Sequence, residues 1–233
     1  MLLKTGGTFI VLAYVDDLII ARDDPVNIDK LKKFLNHCFR IRDLGLLRYF
    51  LRIEISQFPS GIFLNQRKYT LNILKETGML GFRPSSFPME QQHHLGPDSG
   101  PPIPHPYQYR HLIGRLIYLT VTGPEITYAV HIVSQLMSDP RQQHLDAAMH
   151  VLRYLKSSPE HGVFFSSKSD ILIRGYCDSD WASCPLTRWS TIGYFTTLGS
   201  TPLSWKSKKQ PTVSRSFTEA EYRSMAAATN ELL

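Results

Sequence analysis

The 233 residues, 42% of them hydrophobic, suffice for one large domain or two small ones with buried cores. Three scattered cysteines argue against a disulfide framework or a cysteine-based zinc site and favour a reducing compartment. The net charge of +6 is compatible with a polyanionic partner but does not by itself establish one.

Membrane insertion and secretion are not expected. The longest apolar run covers residues 9–15, which is too short to span a bilayer. It ends in two aspartates, whereas a signal-peptide cleavage site has small residues. We therefore expect an intracellular protein without a membrane partner.

The first predicted element is a β-hairpin with strands at 8–14 and 18–22, joined by a tight turn. A helix follows, in which Asp24 is the expected N-cap and Pro25 the first helical residue. A second hairpin has strands at 49–57 and 62–66. The helix after it is expected to end at Gly78.

The middle of the chain changes in composition. Residues 82–106 contain seven prolines and predict an extended, mobile linker. Three amphipathic helices are expected next, one beginning at Pro124 and another at Asp139-Pro140. The last part predicts four strands and a helix, at 163–165, 171–177, 193–197, 202–205 and from Thr218 onward. The fold class is α/β (α+β).

The sharpest feature of the first half is the adjacent pair Asp16 and Asp17, between two apolar strands. Neighbouring carboxylates repel each other, and a divalent cation would remove that cost. The alternative is a plain polar turn, because Asp is a common turn former. The residues of the pair alone do not decide between these interpretations.

The surrounding residues resemble a known family. Tyr14-Val15-Asp16-Asp17 is similar to the YxDD motif of reverse transcriptase palms. Further runs resemble the copia-type retrotransposon enzymes in particular, at 43–45, 49–55 and 66–69. The resemblance implies that Asp16 and Asp17 bind catalytic Mg²⁺ together with a third aspartate from an earlier strand. It places Tyr14 and Val15 beside the primer end.

Two departures from the copia-type pattern stand out. Arg52 occupies a position where that family usually has Gly. Residues 1–15 contain no Asp or Glu, so we expect the third palm ligand and the fingers to be missing from this chain. Polymerase activity of the isolated chain is therefore not expected.

A second set of acids lies in the last third of the chain. Asp178 and Asp180 come at the end of a predicted strand, and Glu219 and Glu221 at the start of the last helix. Acids on a strand end and a helix suit a two-metal ribonuclease-H-like site. The alternative is helix capping, because both Thr218-x-x-Glu221 and Ser216-x-x-Glu219 fit a capping box.

Resemblance to a known family favours the metal-site interpretation of these acids. The runs at 178–194, 204–210 and 218–222 are similar to the RNase H domain of copia-type elements, although Trp189 and Phe217 depart from its usual Arg and Ser. It implies that Asp178 and Glu221 are metal ligands, and that the remaining acids lie downstream and are missing here. The candidate phosphate contacts are basic residues that also fit a solvated loop, namely Lys206, Lys208, Lys209 and Arg215.

The implied architecture is a partial reverse transcriptase palm and thumb-like segment at 1–81, the Pro-rich linker at 82–106, a helical connection at 107–160 and a truncated, incomplete RNase-H-like domain at 161–233. The resemblance implies RNA-directed DNA synthesis and RNA-strand hydrolysis with Mg²⁺. It implies an RNA/DNA template-primer and the rest of a Pol polyprotein as partners. Two hypotheses stay open: an enzyme segment inactive in isolation, and a catalytically dead remnant that at most binds nucleic acid.

Overall fold

The structure is a computed structural model that describes residues 10–22, 24–90, 93, 95–184 and 187–233. Within these residues it is a mixed α/β structure with three sheets and six α-helices. The chain divides into two compact units, Met1–Leu51 and Arg52–Leu233. None of the helices in the described ranges combines the length and hydropathy that crossing a membrane requires.

The first unit contains a hairpin, a helix and a short strand: β1 (Ile10–Tyr14), β2 (Asp17–Ala21), α1 (Pro25–Phe39) and β3 (Tyr49–Phe50). The predicted start of α1 is confirmed, since the Asp24 carboxylate accepts the Val26 N–H at 2.9 Å and Pro25 is the first helical residue. The hairpin is also confirmed, with a shorter turn than expected because Asp17 already belongs to β2.

The second unit begins with a hairpin of β4 (Ile53–Phe58) and β5 (Gly61–Asn65). A distant strand, β6 (Gly162–Ser166), pairs antiparallel with β5. Gly61 permits this pairing, because an added Cβ would come 2.1 Å from the carbonyl oxygen of Phe165. The sequence-based boundaries place β5 and β6 in different domains, whereas the structure places them in one sheet.

The predicted single strand at 49–57 is interrupted. Leu51 and Arg52 both have positive φ, 48° and 62°, which no L-residue adopts in a strand. The left-handed conformation explains why a glycine suits the position of Arg52. The Arg52 guanidinium nevertheless lies 5.1 Å from the centre of the Tyr69 ring, a cation–π contact.

The backbone strain at Arg52 predicts different stabilities for two substitutions that both remove the ring contact. Arg52→Ala loses the ring contact and keeps the strained backbone, whereas Arg52→Gly loses the contact and relieves the strain. We expect the Gly variant to be more stable than the Ala variant by about 1 kcal/mol. Urea denaturation measures the difference in the free energy of unfolding between the two variants. An Ala variant more stable than the Gly variant would contradict the claim that the backbone is strained at this position.

Four helices form the main core of the second unit: α2 (Arg67–Glu76), α3 (Pro106–Leu119), α4 (Thr127–Ser134) and α5 (Gln142–Ser157). The apolar stripe predicted after Pro124 is confirmed as buried, at Ile126, Ala129, Val130 and Val133. The buried Tyr109 hydroxyl donates a hydrogen bond to the Val133 carbonyl at 2.7 Å and so ties α3 to α4.

The described part of the Pro-rich segment 82–106 is hydrogen-bonded along α5. The Ser85 N–H donates to the Arg153 carbonyl at 3.0 Å, and the Gln142 N–H donates to the Pro101 carbonyl at 2.9 Å. The side chain of Ile103 is buried in the helical core. The expectation of an extended linker therefore omits a set of contacts that the composition does not reveal.

The third sheet has the order β7 (Ile173–Asp180), β8 (Thr191–Leu198) and β9 (Thr201–Lys209), all antiparallel. Helix α6 (Phe217–Leu232) packs against one face: Leu232 lies 3.0 Å from where a Gly175 Cβ would stand. Helix α4 lies against β9 on the other side of the sheet. Because side chains alternate along a strand, each β7 residue faces one helix or the other.

Candidate active sites

The first acid pair lies at the tip of the β1–β2 hairpin. Tyr14 pairs with Asp17, so Val15 and Asp16 form a two-residue turn. Val15 has a φ of 49°, which costs a β-branched residue energy, and its side chain is 87% exposed. Both aspartates are exposed to solvent. A strained turn therefore presents two adjacent carboxylates to solvent.

The described residues do not complete a metal site around this pair. Carboxylate oxygens are the ligand type that Mg²⁺ prefers. Within the described ranges, however, no three or more His, Cys, Asp and Glu side chains are grouped so that they could hold an ion. Two solvated carboxylates alone bind Mg²⁺ weakly, because the ion keeps its waters. Asp16 and Asp17 thus supply only part of a ligand set.

In the second acid set, Asp178 and Asp180 lie on β7 and project from the face opposite α6. The intervening residue, Ser179, faces α6, because Gln210 lies 3.5 Å from its hydroxyl and donates to the Ala220 carbonyl of that helix. Alternation then directs the two exposed aspartates toward α4. Glu221 is carried by α6, so a shared ion between Asp178 and Glu221 stays a prediction.

Helix capping involves Glu219 and not Glu221. The Ser216 hydroxyl accepts the Glu219 N–H at 3.1 Å, and the Glu219 carboxylate accepts the Arg215 N–H at 2.8 Å. The Arg215 N–H and the Arg223 guanidinium together hold the pKa of Glu219 below its usual value. Glu221 is half-buried and makes no hydrogen bond to any residue in the described ranges, which leaves its carboxylate available to a ligand.

The four candidate phosphate contacts do not share one surface. Lys206 and Lys208 alternate with Lys209 along β9, so the first two project on the α6 side and Lys209 on the α4 side. Arg215 lies just before α6, and its backbone N–H donates a hydrogen bond to the Glu219 carboxylate at the start of that helix. The positive charge is therefore divided between two faces of the sheet.

Lys209 faces His131 on α4. Burial, and to a smaller extent the charge of Lys209, lower the pKa of His131 to about 4. The His131 Nε2 atom lies 2.9 Å from the amide nitrogen of Gln135. Because the amide nitrogen can only donate, the ring nitrogen must be unprotonated to accept this hydrogen bond. The folded protein therefore holds a neutral histidine between α4 and β9.

This histidine predicts a loss of stability in acid. Between pH 6.5 and pH 4 the unfolded chain binds a proton at His131 that the folded chain does not, so stability falls as the pH falls. After allowance for screening by solvent at this half-buried site, we expect a loss of about 1–2 kcal/mol. Urea denaturation at pH 7 and pH 4.5 tests this, and His131→Gln should remove that part of the pH dependence. Identical pH profiles for the two proteins would contradict it.

A cleft of about 360 Å³ lies between α4 and the sheet face that carries the aspartates. Cross-strand partners on β7, β8 and β9 form its two central rows. One row is aromatic and the other polar: Tyr176, Phe195 and Trp205, then Asp178, Gly193 and Ser207. Sequence analysis found Asp178 and missed the other five, because only strand pairing brings the rows together.

Comparisons with known proteins place the chain among transposon proteins. The family described as reverse transcriptase (RNA-dependent DNA polymerase) matches residues 2–91. The chain is 42% identical over 231 residues to the retrovirus-related Pol polyprotein from transposon RE2 of Arabidopsis thaliana, covering 99% of this chain and 16% of that polyprotein. No solved structure is significantly similar to the chain.

Two shorter relatives match over most of their own length. An uncharacterized mitochondrial protein of Arabidopsis thaliana is 42% identical over 222 residues, 95% of this chain and 92% of that protein. A transposon Ty5-1 protein of Saccharomyces cerevisiae is 30% identical over 231 residues, 98% of this chain and 75% of that protein. The similarity extends well beyond the residues that match the reverse transcriptase family.

Proposed function

Because the chain belongs to the reverse transcriptase family of the retrovirus-related Pol polyproteins of transposons, we propose that it serves as one segment of such a polyprotein. The segment comprises the downstream part of a reverse transcriptase followed by the first part of an RNase H domain. One observation carries the proposal: Asp16 and Asp17 lie at the strained tip of the β1–β2 hairpin, inside the residues that match the family.

The proposed role of Asp16 and Asp17 is to supply two carboxylate ligands for Mg²⁺ in a complete polyprotein. The metal would provide charge stabilisation at the phosphoryl group being transferred. The hairpin contributes the position of the two carboxylates, and Tyr14 and Val15 would lie beside the primer end. The third ligand would come from another part of the polyprotein.

The RNase-H-like role rests on the second acid set. Asp178 on a strand and Glu221 on a helix match the acid types and element types of such a site. Asp178 projects away from α6, so a shared ion would require the side chain of Glu221 to reach the other face of the sheet in the complete polyprotein. Glu219 caps α6 and Glu221 does not, which supports Glu221 rather than Glu219 as the metal ligand. An RNA/DNA template-primer is the proposed partner. Lys209, on the same sheet face as Asp178, is the proposed phosphate contact there, whereas Lys206, Lys208 and Arg215 would contact phosphates only from the α6 side.

We expect a polypeptide of these 233 residues to show no templated primer extension with Mg²⁺ or Mn²⁺. The physical reason is that the described residues bring no third carboxylate to Asp16 and Asp17. Incorporation of labelled nucleotide on a primed RNA template measures this. Templated incorporation that Asp16→Asn abolishes would contradict the proposal.

The alternative function is that of a catalytically dead remnant which at most binds nucleic acid. The departures at Arg52, Trp189 and Phe217 favour this alternative, because they show drift from the copia-type pattern. A remnant and a competent segment both lack activity in isolation. They differ when the chain is placed in a complete polyprotein, as considered in the Discussion.

A further inference from the structure

A buried glutamine, Gln210, connects the strand and the helix that carry the candidate acids Asp178 and Glu221. It follows directly after β9, and its side chain is 1% exposed. Its Nε2 atom donates a hydrogen bond to the Ala220 carbonyl at 2.8 Å and lies 3.5 Å from the hydroxyl oxygen of Ser179. One amide nitrogen therefore contacts both β7 and α6.

The two residues that this amide contacts are the immediate neighbours of the candidate ligands. Ser179 follows Asp178 on β7, and Ala220 precedes Glu221 on α6. A planar peptide bond holds neighbouring Cα atoms about 3.8 Å apart, so a residue cannot move far without its neighbour. The amide of Gln210 therefore fixes the separation between the backbone segments that carry the two acids.

The orientation of this amide is determined by its partners. Because a carbonyl oxygen can only accept, the amide nitrogen and not the oxygen must face Ala220. The amide oxygen, Oε1, accepts a hydrogen bond from the buried Ser214 hydroxyl at 2.6 Å, and the Trp181 indole N–H donates to the Ser214 carbonyl at 2.9 Å. The backbone N–H of Gln210 donates to the Ser190 carbonyl at 2.9 Å. A buried amide that is bonded at both ends cannot rotate without losing hydrogen bonds.

We propose that Gln210 is a positioning residue for the RNase-H-like site, which sets the separation of the backbone segments carrying Asp178 and Glu221. The inference rests on the proposed function of these two acids. Because Asp178 projects away from α6, Glu221 reaches a shared ion only if α6 is held close to β7. Substituting a residue that holds a metal ligand in place typically changes metal affinity or activity by about tenfold to a hundredfold.

The first test uses the full 233-residue chain and requires neither a metal nor activity. Gln210→Met keeps the length of the side chain and removes the amide. We expect the backbone amide NMR signals of Asp178 and Glu221 both to shift in this variant. Ala228→Gly is the matched control, because it weakens α6 through lower helix propensity about two turns away and leaves the Gln210 bonds intact. Both signals should keep their positions in the control.

The second test measures hydrolysis of the RNA strand by the RE2 polyprotein with this chain replacing its matching segment. Gln210→Met should lower kcat by about tenfold to a hundredfold and leave primer extension unchanged. The KM for the RNA/DNA hybrid should also be unchanged, because the buried Gln210 does not contact it. Ser214→Ala removes the partner of Oε1 and should lower kcat by less than Gln210→Met does.

The outcomes separate the positioning role from the proposed function. A parent chimera that hydrolyses no RNA would overturn the RNase-H-like role, and the positioning role falls with it. An active parent chimera with the same kcat in Gln210→Met overturns the positioning role alone. An equal loss of kcat in Ala228→Gly, or unshifted signals of Asp178 and Glu221 in Gln210→Met, has the same consequence. If Gln210→Met does not fold, these criteria apply to Ser214→Ala, which only truncates a small side chain.

Discussion

His144→Leu is expected to lower the free energy of unfolding by about 3 kcal/mol, the largest loss we predict for a single polar side chain. His144 is fully buried in the first turn of α5. Its Nδ1 atom accepts the Arg141 N–H at 3.0 Å, and its Nε2 atom lies 2.7 Å from the Gly96 carbonyl oxygen. The ring therefore caps the helix and holds the preceding segment at the same time.

Leucine occupies a similar volume but can neither donate nor accept a hydrogen bond. The substitution leaves the part-buried Arg141 N–H without its acceptor. It also removes one of two hydrogen bonds to the Gly96 carbonyl, which still accepts the Ser99 N–H at 3.3 Å. Together these losses cost about 3 kcal/mol. His111→Leu is the matched control, because His111 is exposed on α3 and makes no such bonds within the described ranges. Urea denaturation compares the two variants with the parent protein. Equal midpoints for His144→Leu and His111→Leu would show that the two hydrogen bonds contribute nothing.

The second large effect concerns the hairpin aspartates in a complete enzyme. The test protein is the RE2 polyprotein with this chain replacing its matching segment. We expect Asp16→Asn or Asp17→Asn to lower templated DNA synthesis by about a thousandfold, because a bound metal contributes several kcal/mol to stabilising the transferred phosphoryl group.

Asp29→Asn is the matched control for these substitutions. Asp29 is an exposed aspartate on α1 in the same unit, and its replacement removes one negative charge without touching the hairpin. Synthesis should be unchanged in this variant. A loss of similar size in Asp29→Asn would mean that net charge, rather than the hairpin carboxylates, determines the activity.

Local features of the fold were predictable from the sequence. The Asp24 cap and Pro25 fix the start of α1 through bonds between near neighbours. Apolar residues three and four positions apart identified the buried stripe of α4, since an α-helix repeats every 3.6 residues. In each case the residues that determine the structure are within a few positions of one another.

Features that join distant residues were not predictable. The pairing of β5 with β6 and the bond from His144 to Gly96 depend on where the chain returns, which no local pattern specifies. The break at Leu51 and Arg52 was missed because neither residue is typical of a left-handed backbone. The same holds for the cleft, whose rows form only when three strands align.

The candidate acids also combine a feature that the sequence predicts with features that only the structure provides. Their identity was visible in the motifs, and the structure adds which glutamate caps α6 and which does not. The direction of Asp178, away from the helix that carries Glu221, follows from strand alternation once α6 is placed. Sequence alone gave no means of placing that helix.

The most direct test of the central claim is DNA synthesis by the RE2 polyprotein carrying the unsubstituted chain in place of its own segment. A competent segment predicts primer extension on an RNA template at a rate comparable to that of the parent polyprotein, and a loss of about a thousandfold in Asp17→Asn. A chimera that is full-length and folded yet makes no product would contradict the proposed function and identify the chain as a catalytically dead remnant.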